Sequence, residues 1–258
     1  MPIHYSDGIT WLTSQALDAY EIKHGFFMRH GGCSPHPWKS LNMATSVGDS
    51  RENVIENRKR IADSLKIDSN SFYDLWQVHS DSVIITERPR AITEAHLQAD
   101  AIVTDKSSVA LLMLFADCVP MLFFDPEQRI VAAAHAGWKG TISGIASKTI
   151  KKMTDQFHCS PETIVGVIGP SICRDHYQIG EDVAEMVNSA FNYDDQVLFY
   201  QNGKIFMDLP KANKLLLEKC GLKFIEMTNI CTQCNNEDWF SHRAENGKTG
   251  RFAAVITL

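Results

Sequence analysis

The sequence predicts an α/β fold: a single domain over residues 1–258 with mixed β-sheets flanked by helices. Three continuously apolar runs follow one another in the middle of the chain, LLMLF, PMLFF and RIVAAAH. Runs of this kind are typical of strands that are covered on both faces. Amphipathic helical segments and further short apolar runs surround this central stretch. Because no internal repeat, low-complexity segment or linker interrupts the pattern, one α/β domain is the simplest interpretation.

Length and composition narrow the class of protein. The chain has 258 residues, of which 44% are hydrophobic and 22% charged, as in an ordinary globular protein. A net charge of −6 argues against sequence-independent binding of nucleic acid, which needs a basic face. The chain has no apolar run long enough to span a membrane, and its first residues, MPIHYSDG, lack the pattern of a signal peptide. We therefore expect a soluble cytoplasmic protein that binds neither membrane nor nucleic acid, with its seven cysteines reduced.

Strands and helices can be placed in order along the chain. The predicted strands around the central stretch are Ile9–Leu12, Gly25–Met28, Phe72–Val78, Ser82–Thr86, Ala101–Thr104, Ile164–Ile168, Leu222–Met227 and Phe252–Leu258. The predicted helices are 51–66, 141–155, 181–191 and 210–220, the last with Pro210 at N1. Paired glycines and prolines predict an irregular loop between Arg29 and Trp38.

The helix predicted at 51–66 has two special features. Asp49 and Glu52 have the spacing of a capping box at its start. Arg58 falls among the apolar positions of its buried face, where a long cationic side chain usually extends its charged end to solvent.

Three chemically reactive side chains follow apolar strands directly. His79 comes after the run ending at Val78, Cys118 precedes PMLFF, and His135 ends RIVAAAH before the small turn Ala136-Gly137. A buried thiol or imidazole costs free energy unless it has a partner. Each residue alone is compatible with an ordinary core position. Together, at strand ends beside a small turn, they indicate a site.

The residue types leave three chemistries open. Two imidazoles and one thiolate suit Zn²⁺, and three protein ligands leave a fourth position for water or substrate. Copper also binds a His₂Cys set, although no His-x-His pair supports a multicopper cluster. In the third, metal-free chemistry, Cys118 is a nucleophile and His135 its base.

Other motifs carry less information. Cys231-x-x-Cys234 has the spacing of half a zinc knuckle, but without a second pair we interpret it as two ordinary thiols. The chain contains no GxGxxG and no P-loop, so neither a dinucleotide nor a nucleoside triphosphate is supported. Lys139, Arg243 and Arg251 are candidate anion binders.

A set of longer motifs carries a family resemblance. They occur in the order FFMRHGGCS, LNMATSVGDSRENVIENR, QVHS, ADAIVTD, ADCVP, HAGWKGTISG, GPSI, YQIG, DLPKAN, CTQC, FSHR and TGRFA. In this order, from Phe26 to Arg251, the chain resembles the laccase-domain family, also called polyphenol oxidase-like or multicopper-oxidase-like purine nucleoside phosphorylases. The resemblance implies a single α/β domain similar to the catalytic domain of cytotoxic necrotising factors. It also implies a zinc ion held by His79, Cys118 and His135.

The resemblance further implies an enzyme. The family is associated with phosphorolysis of adenosine, inosine and methylthioadenosine and with deamination of adenosine, so the expected partners are a purine nucleoside and phosphate. Some bacterial members are instead linked to peptidoglycan editing, which for this chain would be an amidohydrolase using Cys118 and His135 on muropeptide precursors. A third hypothesis is a metal-binding module without a dedicated activity.

A few positions depart from the pattern of the family. Cys33 replaces a more usual valine, His242 replaces an aromatic residue, and Cys173 with His176 makes the segment after GPSI unusual. These departures concern substrate fit more than the metal site. The residues that we expect around the substrate are Arg29, Asn42, Lys139 and Arg243.

Overall fold

The apolar runs form strands in the computed structural model, which describes residues 1–191 and 196–258. The described strands are β1 (Ile3–Ser6), β2 (Ile9–Leu12), β3 (Lys23–Phe27), β4 (Phe72–Tyr73), β5 (Val83–Ile85), β6 (Ala101–Thr104), β7 (Ala110–Phe115), β8 (Val119–Asp125), β9 (Ile130–Ala136), β10 (Val165–Ile168), β11 (Gln178–Ile179), β12 (Leu198–Gln201), β13 (Lys204–Met207), β14 (Phe224–Met227) and β15 (Phe252–Thr257). The described helices are α1 (Gln15–Asp18), α2 (Arg51–Leu65), α3 (Trp138–Ile142), α4 (Ile145–Phe157), α5 (Glu181–Ala190) and α6 (Leu209–Lys219).

These strands form two large sheets and one small sheet. The first sheet has six strands in the order β1-β2-β3-β15-β7-β4, and the second has six in the order β14-β10-β8-β9-β6-β5. Both sheets are mixed, because β4 pairs with β7 and β14 pairs with β10 in parallel while most other pairs are antiparallel. A three-stranded sheet, β11-β13-β12, stands apart. The predicted mixed α/β fold is confirmed.

The central strands of both large sheets are buried on both faces. One apolar core lies between them and includes Phe115 and Phe252 from the first sheet and Leu122 and Val131 from the second. The outer face of the first sheet packs against α2, and the outer face of the second packs against α4 and α6. A strand with this double coverage cannot alternate apolar with polar residues, which explains the continuous apolar runs of the sequence.

The three central strands are confirmed as β7, β8 and β9. In β9 the residues alternate between the two cores, with Ala132 and Ala134 facing the helices while Val131 and Ala133 face the first sheet. His135 continues the second set and its ring lies 5.4 Å from the Phe115 ring, centroid to centroid. The imidazole therefore lies at the end of the layer between the two sheets.

Two predictions about helices are wrong in detail. The predicted helix 141–155 is two helices, α3 and α4, because Gly144 adopts a left-handed φ of +79° between them. The cap of α2 is Ser50, whose hydroxyl accepts from the Asn53 backbone N–H, so the predicted Asp49–Glu52 capping box does not form.

The predicted strand Phe72–Val78 is also too long. Only Phe72–Tyr73 forms strand β4, because the next residue, Asp74, turns its buried carboxylate to two arginines. Asp74 pairs with Arg58 at 2.8 Å and with Arg90 at 2.7 Å. The charge of Arg58 is thus neutralised inside the structure instead of extending to solvent. None of the described helices is long and apolar enough to cross a membrane.

Candidate functional site

Strand pairing in the second sheet brings Cys118 and His135 to the same end. Strands β8 and β9 pair antiparallel with Val119 opposite Ala136 and Pro120 opposite His135. Cys118 is the residue just before β8, so its thiol lies across from the turn that follows His135. The two residues lie at neighbouring ends of strands that pair in a fixed register, and this register sets their relative position.

Asp100 contacts both histidines of the site. It directly precedes β6, which pairs with β9, and its backbone carbonyl accepts from the His135 backbone N–H at 2.8 Å. Its fully buried carboxylate lies 2.8 Å from His135 Nδ1. The same carboxylate accepts from the backbone N–H groups of His79 at 3.1 Å and Ser80 at 2.6 Å. One carboxylate therefore positions both histidines, a role that the sequence analysis did not assign to Asp100.

The three predicted side chains converge. One ligand atom from each of His79, Cys118 and His135 lies within 4.8 Å of the others. His79 Nε2 is 3.8 Å from Cys118 Sγ, and the two imidazole rings meet edge to face with centroids 4.9 Å apart. His79 is exposed whereas His135 is buried, so the group opens to solvent on the His79 side.

The charges of these groups reinforce one another. Burial alone would raise the pKa of the Cys118 thiol, but the adjacent imidazoles of His135 and His79 stabilise the thiolate and lower it below its usual value. Burial disfavours the charged form of His135, yet the Cys118 thiolate and the Asp100 carboxylate raise its pKa above the usual value. Burial would also raise the pKa of Asp100, and hydrogen bonds from His135 and Ser80 hold it below its usual range instead.

Gly137 makes room for the group. A Cβ at this position would lie 2.7 Å from His79 Cδ2 and 3.1 Å from Cys118 Sγ. Any other residue would therefore displace the imidazole or the thiol. Two non-glycine residues of the site, His79 and Asp117, have left-handed backbones with φ of 60° and 83°. Such conformations cost free energy and concentrate at functional sites.

Asp117 connects the site to more distant segments of the chain. Its carboxylate accepts from the Arg243 backbone N–H and from the Thr232 hydroxyl, both at 2.7 Å, and its carbonyl accepts from the Ile172 N–H at 2.9 Å. It makes no hydrogen bond to His79 or His135 among the described contacts. Asp117 thus positions the chain around Cys118, while Asp100 contacts the histidines.

Two of the four residues expected around the substrate are at least partly buried and are bonded to other parts of the protein. Arg29 pairs with Glu245 at 3.0 Å, donates to two backbone carbonyls and stacks over Phe240. Asn42 is fully buried. Its amide nitrogen donates to Asp49, and its amide oxygen accepts from the Arg251 backbone N–H. Their contacts anchor loops of the first sheet, and their substrate contact stays a prediction.

The other expected residues are more accessible. Lys139 is exposed on α3, with its ammonium 5.6 Å from the Trp138 ring. Arg243 is exposed, donates to the carbonyls of His176 at 3.0 Å and Gln178 at 3.2 Å, and lies over Tyr177.

A cavity beside His79 is lined by a further basic residue, Arg251. It has a volume of about 230 Å³ and is lined by Ala44, Ser46, Leu75, Trp76, Gln77, His79, Leu114 and Arg251. Nη1 of Arg251 donates to the carbonyls of Thr249 and Gly250, and no described residue accepts from Nε or Nη2. Arg251, one of the candidate anion binders of the sequence, therefore shares this cavity with His79.

The donor set fits a metal ion. Two imidazole nitrogens and one thiol sulfur lie within 4.8 Å of one another, and the missing Cβ of Gly137 leaves the space beside them open. Three protein donors of this kind match an open zinc site and, in donor type, also copper. A second group in the described chain has comparable spacing: Cys173, His176, Cys231 and Cys234. Cys231 and Cys234 are therefore not the isolated pair that the sequence indicated.

Fold and site together define a mixed α/β protein with a candidate metal site at converging strand ends. The chain belongs to the family described as multi-copper polyphenol oxidoreductase laccase, whose model matches residues 23–258. It is 37% identical over 237 residues to the purine nucleoside phosphorylase of Deinococcus radiodurans, covering 92% of this chain and 89% of the relative. It is 36% identical over 248 residues to the purine nucleoside phosphorylase YlmD of Bacillus subtilis, with 92% and 89% coverage. The crystal structure of YlmD from Geobacillus stearothermophilus superposes with a TM-score of 0.92 at 30% identity, over 98% of this chain and 97% of that one.

Proposed function

We propose that this protein is a zinc-dependent purine nucleoside phosphorylase with adenosine deaminase activity, acting in the cytoplasm on adenosine, inosine and methylthioadenosine. Relatives that span nearly the same length carry the name purine nucleoside phosphorylase, which supports an enzyme of the nucleoside phosphorylase type. The observation that carries the site assignment is the convergence of His79, Cys118 and His135 on one point beside Gly137. The similarity to the cytotoxic necrotising factor catalytic domain remains a prediction within this proposal.

Each residue of the site has a definite part in the proposed chemistry. His79, Cys118 and His135 would hold the zinc ion, which would supply a Lewis acid for a phosphate or water oxygen. Asp100, through its 2.8 Å contact with Nδ1 of His135, makes Nδ1 the protonated nitrogen and turns Nε2 towards the site. The Asp100 hydrogen bond to the His79 backbone holds the second imidazole in place.

Anion binding falls to the basic residues around the site. Arg251 lines the cavity beside His79 and keeps Nε and Nη2 without partners among the described residues, so it is the side chain best placed for phosphate. Lys139 and Arg243 are exposed and complete the proposed substrate surface. Arg29 and the buried Asn42 hold the loops behind it, and their contact with substrate stays a prediction.

The products of adenosine turnover test this proposal. We expect adenine release to rise with phosphate and to yield ribose 1-phosphate in equal amount, because phosphate is the attacking group. Inosine should form without phosphate, because deamination needs only water. Protein stripped of metal by a chelator is the control. If neither product exceeds this control, the nucleoside proposal is wrong.

One observation favours a second candidate, a peptidoglycan-editing amidohydrolase. Cys118, His135 and Asp100 also have the order of a nucleophile, its base and the group that orients the base, and the neighbouring imidazoles lower the pKa of Cys118. In that reaction the thiolate attacks an amide carbon and His135 protonates the leaving amine. A muropeptide precursor carrying a wrongly incorporated amino acid is the substrate that distinguishes the two. Cleavage by metal-free protein, with trapping of an acyl group on Cys118, would favour this candidate.

A further inference from the structure

The parallel pairing of β10 with β14 brings two distant segments together. Val165 lies opposite Phe224 and Ile168 opposite Met227, so both strands end at the same edge of the sheet. Beyond that edge, Ser171 continues the pairing with Ile230, Cys231 and Thr232 through backbone hydrogen bonds and an isolated bridge. Cys173 and His176 follow in the first segment, and Cys231 and Cys234 lie in the second.

The four side chains point at one another. His176 Nδ1 lies 3.4 Å from Cys173 Sγ, 3.7 Å from Cys231 Sγ and 3.4 Å from Cys234 Sγ. All four ligand atoms lie within 4.8 Å of one another. A tetrahedral zinc ion with sulfur at about 2.3 Å and nitrogen at about 2.0–2.1 Å places sulfur and nitrogen about 3.5–3.6 Å apart. The three measured distances cluster around this tetrahedral edge.

Hydrogen bonding alone does not account for the cluster. An imidazole nitrogen has one bonding direction, either a single N–H or a single lone pair, so it cannot serve three sulfur atoms at once. Three sulfurs around one nitrogen are instead the arrangement that a tetrahedral metal ion requires. The sulfur of Cys231 also accepts from the backbone N–H groups of Cys173 at 3.3 Å and Cys234 at 3.5 Å. Such donors favour a thiolate over a thiol.

We propose that Cys173, His176, Cys231 and Cys234 form a second metal site, separate from the one containing Cys118, that binds Zn²⁺ as a closed structural centre. Two chelating pairs, Cys-x-x-His and Cys-x-x-Cys, supply four protein ligands, which is the complete shell of a structural zinc and leaves no position for substrate. Binding displaces the protons of the three thiols into solution as the sulfurs become ligands.

This structural centre braces one wall of the open site. Arg243 donates to the carbonyl of His176, and Thr232, next to Cys231, donates its hydroxyl to Asp117. Asp117 in turn fixes the backbone beside Cys118. Loss of the metal from the second site should therefore loosen the segments that hold Asp117 and Arg243, while Asp100 still holds His79 and His135.

The metal content of the 258-residue chain tests the proposal. Protein purified in zinc-supplemented medium should contain about two zinc ions per chain, and His176→Ala or Cys234→Ser should each remove about one. Cys33→Ser is the matched control, because Cys33 is exposed and outside both groups, and it should keep both ions. His79→Ala should retain the ion of the second site, which separates failure of this proposal from failure of the proposed function.

A wild-type measurement protects the test against variants that fail to fold. X-ray absorption at the zinc edge should report on average two sulfur ligands per zinc if both sites are filled, since the sites hold one and three cysteines. It should report one sulfur if only the Cys118 site is filled. Unchanged metal content in a folded His176→Ala variant, one sulfur per zinc, or a disulfide among the three cysteines in freshly purified protein would each overturn the proposal.

Discussion

The two groups of histidine and cysteine differ in how many ligands the chain supplies. The group at Cys118 has three donors from three separate segments, the loop before β5, the residue before β8 and strand β9, and it opens to solvent beside His79. The group at Cys231 has four donors in two pairs, joined by a single parallel strand pairing. A three-donor set leaves a position for chemistry, whereas a four-donor set is complete without substrate.

The supporting residues differ in the same way. At the open site a buried carboxylate, Asp100, bonds one imidazole and the backbone of the other. At the closed site the described donors to sulfur are backbone N–H groups of the cysteine segments themselves. A site that carries out chemistry needs an outer residue that sets the tautomer and orientation of its ligands. A site that only links two segments can be completed by its own backbone.

Removing a ligand of the open site should have the largest effect. His79→Ala removes one of three donors, so we expect zinc to leave this site and nucleoside turnover to fall at least about 100-fold, since loss of an outer partner alone costs 10–100-fold. Cys118 should then become reactive to alkylation as the metal leaves. Metal content, turnover and peptide mapping of the alkylated protein measure the three effects.

The exposed residue His36 provides the control, because His36→Ala removes an imidazole outside both groups. A folded His79→Ala variant that stays active, with fast inactivating alkylation of Cys118 in untreated wild type, would contradict the metal assignment. Cys118 would then be the nucleophile of the alternative reaction.

Replacing the supporting carboxylate should have the next largest effect. Asp100→Asn keeps the shape of the side chain but removes the charge next to His135, so zinc affinity and turnover should fall about 10–100-fold. Competition with a chromogenic chelator measures the affinity. Asp105→Asn is the matched control, since Asp105 pairs with Lys106 on the surface. The zinc of the closed site should be unaffected, and equal weakening of both zinc ions would contradict the separation of the two sites.

The sequence was most informative where burial leaves a strong local pattern. β7, β8 and β9 are covered on both faces, so every residue had to be apolar and the runs could be recognised directly. Strands β1, β11, β12 and β13 are short and partly exposed and were not predicted. Their formation depends on partners elsewhere in the chain, which no local pattern contains.

The two groups of histidine and cysteine show the same limit of local sequence patterns. The ligands of the open site each follow or precede an apolar run, and the family resemblance named the same three residues. Cys231-x-x-Cys234 was visible, but its partner pair lies more than fifty residues away and meets it only through the pairing of β10 with β14. The role of Asp100 likewise depends on the pairing of β6 with β9.

Adding a methyl group beside the open site should have a smaller effect. In Gly137→Ala the new Cβ would lie 2.7 Å from His79 Cδ2 and 3.1 Å from Cys118 Sγ, so the exposed imidazole must move from its present position. We expect zinc affinity at this site to fall about 10-fold, within the range seen when a ligand loses its orientation. Calorimetric titration with zinc measures the change. An unaltered zinc affinity in the folded variant would show that zinc binding does not depend on the present position of the His79 ring.

The smallest effect should come from Arg243, which contacts both regions. Its guanidinium donates to His176 and Gln178, and its backbone N–H donates to Asp117 beside Cys118. Arg243→Ala keeps the backbone contact and removes the side chain, so both zinc ions should remain bound. If the side chain also contacts substrate, KM should rise by up to about 10-fold with little change in kcat, the scale of one ordinary hydrogen bond.

Arg88→Ala is the control for this last variant, because Arg88 is an exposed arginine paired with Glu94. Two results for Arg243→Ala would have different meanings. Loss of the zinc bound by Cys173, His176, Cys231 and Cys234 would mean that this group depends on the arginine, and the two regions are then one unit. Unchanged KM with both ions retained would remove Arg243 from the substrate surface, and the arginine would serve only to link the two regions.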